Sequence, residues 1–342
     1  MSIVQTAAAA LRPVVVGVDV GGTKVLAAEV SPEGEVLRVA RRRTPGRRVE
    51  EALVETAMDE AVAEVVAGRR LGGVGVAAAG FVDAAGERVA FAPHLPWRGR
   101  RVRAHLAERW RVPVLLDNDA NCAARAEASY GAAVGADDAL VLTLGTGIGG
   151  AVLLDGALHR GSNGMAGEFG HMQVVPDGRG CECGGSGCWE QYSSGNALVR
   201  HAAAALADGA TGALADLVAA SDDGLTGPLV TQAAEQDDPV AVAAFASVGD
   251  WLGVGVANLV AAFDPAVVVV GGGVSAAGDL LLAPARVALE RSLVASTERV
   301  VPPLLEARFG PEAGVVGAAS MVRDALGRTP RTRRRSRRRR PT

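Results

Sequence analysis

The sequence predicts an α/β fold built by internal duplication. Two units of apolar strand, glycine turn and return strand carry that prediction, one over residues 13–30 and one over 139–154. Helical patterns alternate with further apolar runs around them, as expected where helices cover strands. At 342 residues the chain is long enough for two lobes, each with its own core.

Residues 13–20 (PVVVGVDV) form a short apolar run ending in Gly21-Gly22, and a second run follows over 25–30. Ser31-Pro32-Glu33-Gly34 turns the chain into a third run over 35–40, which completes a three-stranded meander. Residues 49–67 have a helical pattern with charges on one side. A buried strand follows over 73–79, and another over 113–116 runs into DNDAN. The second half reopens the pattern with an apolar run over 139–144, a glycine turn over 145–150 and a return strand over 151–154. Residues 266–270 are a pure apolar strand ending in Gly271-Gly272-Gly273, with helical segments over 240–262 before it and 280–293 after it.

Three glycine segments at strand ends suit phosphate binding. Converging backbone N–H groups hold phosphates, and side chains there would block the approach. Asp19, at the end of the first strand, offers a carboxylate to magnesium. Thr23 and Lys24 add a hydroxyl and a positive charge, and Thr146 adds a hydroxyl from the opposite turn. The triple glycine lets a nucleoside lie against backbone. Lys24 is the only lysine of the chain and stands inside DVGGTK. Residues 145–150 also satisfy G-x-G-x-x-G, with Glu168 about 20 residues on. That fingerprint requires a helix after the glycines, and 151–154 reads as a strand. Residues 17–24 do not fit the P-loop pattern either.

Residues 168–190 (EFGHMQVVPDGRGCECGGSGCWE) hold three of the four cysteines. His171, Cys181, Cys183 and Cys188 offer one imidazole and three thiols in a glycine-broken loop, a donor set for tetrahedral zinc. Glu168 and Glu190 flank it, so a metal here would fix two carboxylates. A disulfide with one spare thiol is the alternative. The first dozen residues carry a single arginine and a short alanine run, without the form of a secretory signal, and clustered thiols in a reducing compartment favour metal. Cys122, alone on a helical segment, reads as a small buried residue.

Hydrophobic residues make up 49% of the chain, and no uncharged apolar run reaches bilayer length. A cytoplasmic protein without a membrane span is expected. The net charge of −3 hides an asymmetry: residues 328–342 hold nine arginines and no acid, leaving −12 on the rest. Residues 1–12 and this tail are expected to be disordered. The tail reads as a solvated appendage, with nonspecific contact to nucleic acid, polyphosphate or acidic surfaces as the alternative.

Taken together, the motifs resemble the ROK sugar kinases, and within them the bacterial glucokinases. DVGGTK (19–24), AAGFVD (78–83), LDNDAN (116–121), LGTGIGG (144–150), GEFGH (167–171), CECGGSGCWEQY (181–192) and VVGGGVS (269–275) carry the resemblance over almost the whole body. It implies an actin-like ATPase (ribonuclease H-like) fold of two lobes around a cleft. Residues 13–118, completed by 311–327, would form the small lobe, and 119–310, with the zinc loop, the large one. ATP would be held by Asp19, Gly21, Gly22, Thr23, Lys24, Gly145, Thr146, Gly147, Gly271 and Gly272, with Mg2+ at Asp19. D-glucose would lie at the cleft bottom on Gly80, Phe81, Asn118, Asp119, Glu168, His171 and Glu190. By the same resemblance Asp119 is the general base for the sugar 6-hydroxyl, a poor nucleophile until its proton is accepted. The bland reading of DNDAN is a helix cap, and it is compatible, since Asp117 or Asn118 can cap while Asp119 faces the cleft. The zinc would be structural, with His171 giving one nitrogen to metal and the other to sugar. A homo-oligomer, dimer or tetramer, is implied too. Other hexose or N-acetylhexosamine kinases share most of these motifs, and polyphosphate is a lesser alternative to ATP. A sugar-responsive repressor would need a helix-turn-helix before the first strand, where only about a dozen residues stand, so no specific nucleic-acid binding is expected.

Overall fold

In the computed structural model, strand β1 (Val14–Val20) turns tightly into β2 (Lys24–Val30), and β3 (Val36–Arg43) completes an antiparallel meander. Helix α1 (Glu51–Val66) carries the chain to β4 (Leu71–Ala78), parallel to β1. A hairpin of β5 (Phe81–Val82) and β6 (Val89–Phe91), then helix α2 (Val102–Trp110), leads to β7 (Val114–Asn118), parallel to β4. The sheet order is β3-β2-β1-β4-β7, and helix α3 (Asp119–Tyr130) leaves its last strand. The structure describes residues 13–44, 50–92 and 94–327; the first dozen residues and the arginine tail lie outside the described residues.

The second half repeats this topology. Strands β8 (Ala139–Leu144), β9 (Ile148–Leu154) and β10 (Ala157–Leu158) form a second meander. Helices α4 (Gly195–Ala207), α5 (Ala213–Ala219), α6 (Gly227–Ala234) and α7 (Pro239–Phe263) cross to β11 (Val267–Gly271), parallel to β8. Helix α8 (Asp279–Ser292) then leads to β12 (Leu304–Glu306), parallel to β11. The order β10-β9-β8-β11-β12 matches the first sheet position by position, and helix α9 (Ala313–Gly327) leaves its last strand as α3 leaves β7. The duplication read from two glycine turns is thus a duplication of whole sheets.

Alternation along the strands assigns the faces. In β1, Val14, Val16, Val18 and Val20 are buried in a core shared with α1 and α2, which leaves Gly17 and Asp19 on the opposite face. In β8, Leu140, Leu142 and Leu144 face the large core under α4–α8, while Ala139 and Val141 face α3. The two strand-leaving helices are exchanged between sheets. α3 packs Ala124 against Val141 and Ala151 of the second sheet, and α9 packs Val315, Val316 and Ala319 against Leu26 and Ala28 of the first.

This exchange is made at backbone distance. A Cβ on Gly17 would lie 1.9 Å from the Val315 carbonyl oxygen, and one on Gly75 1.9 Å from that of Ala318. Where the helices meet, a Cβ on Gly317 would lie 1.7 Å from the Cys122 carbonyl oxygen. Cys122, 1% exposed, is the small buried residue the sequence suggested.

Helix α7 has the length and hydropathy of a membrane span. Here it packs into the core over the second sheet, with Phe245, Val248, Leu252 and Val256 wholly buried there. Asp238 caps it by accepting from the Val240 and Ala241 amides, with Pro239 in its first turn. One boundary differs instructively from expectation. The return strand begins at Ile148, so Gly149 and Gly150 are strand residues. A Cβ on Gly149 would lie 2.6 Å from Thr143 Oγ1, and one on Gly150 2.4 Å from the Phe169 ring.

Gly317→Ala is expected to destabilise the protein by about 3 kcal/mol or more, since carbonyl backbone cannot step aside as a side-chain tip can. Gly327→Ala, which meets nothing within 4 Å, should change stability by less than about 0.5 kcal/mol. Urea midpoints of the two variants test this, and equal midpoints would disprove the close crossing.

Candidate active site

Each glycine segment closes a strand end at the cleft. The turn between β1 and β2 is fastened by the Gly21 amide donating to the Lys24 carbonyl (3.0 Å) and by the Thr44 hydroxyl donating to the Gly21 carbonyl (2.8 Å). His94 lies against Gly22, where a Cβ would be 2.5 Å from its own. In the second turn the Gly145 amide donates to Gly147 (3.0 Å), and Thr146 stands exposed at the tip. Gly272, at a φ of +91°, presses against Leu144, where a Cβ would lie 2.4 Å from the carbonyl oxygen. Only glycine fits that conformation and that distance. The third glycine segment is therefore seated beside the second turn.

A cavity of about 320 Å3 opens where these strand ends meet. Asp19, Lys24, Asp119, Gly271 and Gly272 line it, so residues far apart in sequence share one wall. Gly21, Gly22, Thr23, Gly145, Thr146 and Gly147 are not on that wall, and neither are Gly80, Phe81, Asn118, Glu168, His171 and Glu190.

Asp119 begins helix α3, and Asn118 caps it by accepting from the Asn121 amide (3.1 Å). The cap and the candidate base are thus adjacent residues with separate tasks. The Asn118 amide group also donates to the Gly80 carbonyl (3.1 Å) and to Asp119 Oδ1 (2.9 Å), and the Ala120 amide donates to the same oxygen (3.0 Å). Gly80 is pressed on Phe91 and Ala92, and the Phe81 ring stacks on Phe91 at 5.9 Å between centroids.

The loop from 168 to 190 folds as the sequence expects of a metal loop. His171 ends a 3-10 turn (Phe169–His171), and its Nδ1 lies 3.8 Å from Cys181 Sγ. Cys183 and Cys188 sulfurs are 3.6 Å apart, too far for a disulfide of about 2.05 Å. The donor atoms of His171, Cys181, Cys183 and Cys188 all lie within 4.8 Å of one another. Zinc–sulfur bonds of about 2.3 Å in a tetrahedron place sulfurs about 3.8 Å apart. The four residues therefore fit a tetrahedral ion. Glu190 sits against the cluster, with Oε1 3.1 Å from Cys181 Sγ and 3.7 Å from His171 Nδ1. Its other oxygen touches Gly147, where a Cβ would be 2.2 Å away. Between Cys188 and Glu190, Trp189 is wholly buried; its indole donates to the Trp251 carbonyl (2.7 Å), and Gly255 leaves room for the ring.

Sequence reading missed Glu127 and, although it named Asp117 as a candidate cap, the partner of Asp117. Glu127, 1% exposed, lines the cavity and accepts from the Ala132 (2.8 Å), Arg308 (3.2 Å) and Phe309 (2.9 Å) amides, pinning the segment before α9. Asp117, 3% exposed, is paired with Arg160. Neither had a signal, because a lone Glu on a helix or a lone Arg in an arginine-rich chain looks like surface.

Burial and mutual repulsion raise the carboxyls of the site. Asp19 is pushed up to about 7, first by burial and then by the charge of Asp119, with Lys24 opposing. Burial likewise raises Asp119, against the hydrogen bonds from Ala120 and Asn118. Glu168 is raised by burial, with His171 opposing and Asp119 and Glu190 adding to the rise.

The comparisons with known proteins agree with this geometry. The model of the ROK family matches residues 15–325. A glucokinase of Streptomyces coelicolor is 42% identical over 317 residues, covering 90% of this chain and 97% of that enzyme. A glucokinase of Halalkalibacterium halodurans is 35% identical over 332 residues, covering 90% and 94%. A crystal structure of a ROK family glucokinase from Streptomyces griseus in complex with glucose and AMPPNP superposes with a TM-score of 0.83 at 43% identity, covering 91% of this chain and 99% of that one.

The raised Asp19 fixes a pH dependence. Its carboxyl titrates near 7 when folded and near 3.8 when unfolded, so the unfolded chain loses the proton first. Stability of the ligand-free protein then falls as pH rises from about 4 to about 7. Asp19→Asn should be the more stable protein at pH 8, by at most about 4 kcal/mol, with the difference vanishing near pH 4. Urea unfolding without nucleotide or magnesium measures it, and a wild type at least as stable at pH 8 would contradict the desolvated carboxylate.

Proposed function

The chain belongs to the ROK family, and from that premise we propose that it is a glucokinase, transferring the γ-phosphoryl group of ATP to O6 of D-glucose. One observation carries the reading beyond family membership: Asp119, at the start of α3, shares a cavity wall with Asp19, Lys24 and the glycines of β11. A hydroxyl acceptor at Asp119 and a triphosphate over the glycine segments would meet there. The lobe division, 13–118 with 311–327 against 119–310, is supported by α9 packing on the first sheet and α3 on the second.

In this reading the backbone of Gly21, Gly22, Gly145, Gly147, Gly271 and Gly272, with the Thr23 and Thr146 hydroxyls, holds the nucleotide, and the Lys24 ammonium offsets phosphate charge. Magnesium, carried in with ATP, would be held through Asp19 and would neutralise charge between the phosphates. Glu168, His171 and Glu190 grip sugar hydroxyls, Gly80 and Phe81 wall the pocket, and Asn118 serves both the hydroxyls and Asp119. Asp119 accepts the proton of the 6-hydroxyl as the phosphoryl group arrives. Desolvation suits it to this, because a carboxylate raised above its usual range is a stronger base at neutral pH. Its bonds from Asn118 and Ala120 fix its position. Zinc on His171, Cys181, Cys183 and Cys188 has a structural role, and the free thiols of this set agree with a reducing cytoplasm.

An ADP-release assay with Mg-ATP over glucose, mannose, fructose and the N-acetylhexosamines tests the substrate. Glucose should be preferred; preference for an N-acetylhexosamine would move the enzyme to that substrate, and no turnover would remove the kinase reading. Asp119→Asn is expected to lower kcat by about 10³-fold while calorimetry still detects glucose binding; near-normal turnover would end its assignment as base. Cys183→Ser should lose zinc by elemental analysis and raise the glucose KM about tenfold or more, and full zinc occupancy would refute the ligand set.

A further inference from the structure

Asp117 and Arg160 have no part in the mechanism above, yet they make a contact, buried on the Asp117 side and half-buried on the Arg160 side, between the two halves of the sugar site. Asp117 is the penultimate residue of β7, immediately before Asn118 and Asp119, and it is 3% exposed. A carboxylate so deep must be fully paired. Its Oδ1 accepts from the Asn118 amide (2.9 Å) and from the Asn121 side chain (2.9 Å), so it braces both the residue before Asp119 and the first turn of α3. Its Oδ2 accepts from Arg160 through Nε (3.1 Å) and Nη2, a two-pronged grip.

Arg160 comes from the other half of the chain, two residues past β10, where the loop towards Glu168 begins. That loop is docked at both ends. The Arg160 carbonyl accepts from the Ala166 amide (3.1 Å). Gly164, at a φ of +81°, lies against the β5 end, where a Cβ would be 2.1 Å from the Val82 carbonyl oxygen. Gly167 returns to β9, where a Cβ would be 2.3 Å from the Gly150 carbonyl oxygen, and Glu168 follows. The Asp117–Arg160 pair thus bolts the base-bearing strand end to the loop that carries Glu168 and His171.

We propose that Arg160 is a positioning residue for phosphoryl transfer, setting the Asp119 carboxylate against the hexose by clamping Asp117. The proposal rests on the glucokinase reading. The planar guanidinium matters because it approaches Oδ2 from a fixed direction with two donors, whereas a lysine would neutralise Asp117 as a point charge and leave the loop free to shift. A displacement of about 1 Å at a reacting group suffices for about a hundredfold loss of rate.

The test uses the full-length protein with Arg160→Met and Arg160→Lys, each measured for melting temperature, zinc content, glucose KM and kcat. Arg160→Met should lower kcat about 100-fold at saturating glucose, by more than it raises KM. Arg160→Lys should recover the melting temperature and keep its zinc, yet leave kcat at least about tenfold down. A lysine variant with wild-type kcat, or rates that follow melting temperature across both variants, would make Arg160 a stability residue only and overturn the proposal. So would a loss confined to glucose KM. Should Arg160→Met fail to fold, the lysine variant decides alone on the same criteria. A wild type that does not phosphorylate glucose fails in the control, which overturns the kinase reading and takes the clamp with it.

Discussion

The site depends on two helices that approach to backbone distance where they cross. Where α3 crosses α9, Gly317 lies against the Cys122 carbonyl, and α9 in turn lies on Gly17 and Gly75. Any Cβ at these positions would lift α9 off the first sheet or α3 off α9. The crossing has a chemical consequence one turn away. A Cβ on Gly314 would be 3.0 Å from the Asp19 carboxyl, and Asp119 opens α3, so the N-terminal ends of both helices are drawn to the cleft floor. Those ends carry partial positive charge, which favours anions. The packing that makes two sheets into one molecule therefore also assembles a floor suited to a polyphosphate.

That floor is not stable in its own right. Asp19, Asp119 and Glu168 are each raised by burial, and Asp119 raises both of the others. Carboxylates gathered in this way lower the stability of the empty protein above their ordinary pKa range, and strain of this kind concentrates where chemistry is done. Among the described residues, Lys24 is the one cation on the cavity wall. In a chain whose other basic residues outside histidine are all arginine, a compact ammonium and not a guanidinium fork stands beside the glycine turn.

The parts of this arrangement that sequence exposes are those with a local signature. Apolar runs broken by glycines gave the meanders, because period-two burial and turn chemistry act over a few residues. The Cys181, Cys183, Cys188 and His171 set was legible because few environments other than a metal site bring three thiols and an imidazole together. What stayed hidden is tertiary. The exchange of α3 and α9 between sheets leaves no trace in either helix beyond small residues. Asp117 and Arg160 are 43 positions apart, and Glu127 meets Phe309 across 182, so no window of the sequence contains either pairing. The hairpin β5–β6 and helix α2 were missed for another reason: α2 buries only Val102 and Leu106, too few for a periodic pattern.

The two sides of the cleft are held by different physics. On the proposed nucleotide side, the glycine turns are strand ends of packed sheets, and their geometry follows from the core beneath them. On the proposed sugar side, Glu168, His171 and Glu190 stand outside the strands and α-helices. Loops of this length do not hold a carboxylate in place through packing alone. Each therefore has a brace of another kind: Trp189 sunk beside Gly255 and the four donors at one end, the Asp117–Arg160 pair at the other. Glu190 joins the two sides, since it touches both Cys181 and Gly147. A change at the metal loop can then reach the glycine turn over 145–150 through that one side chain.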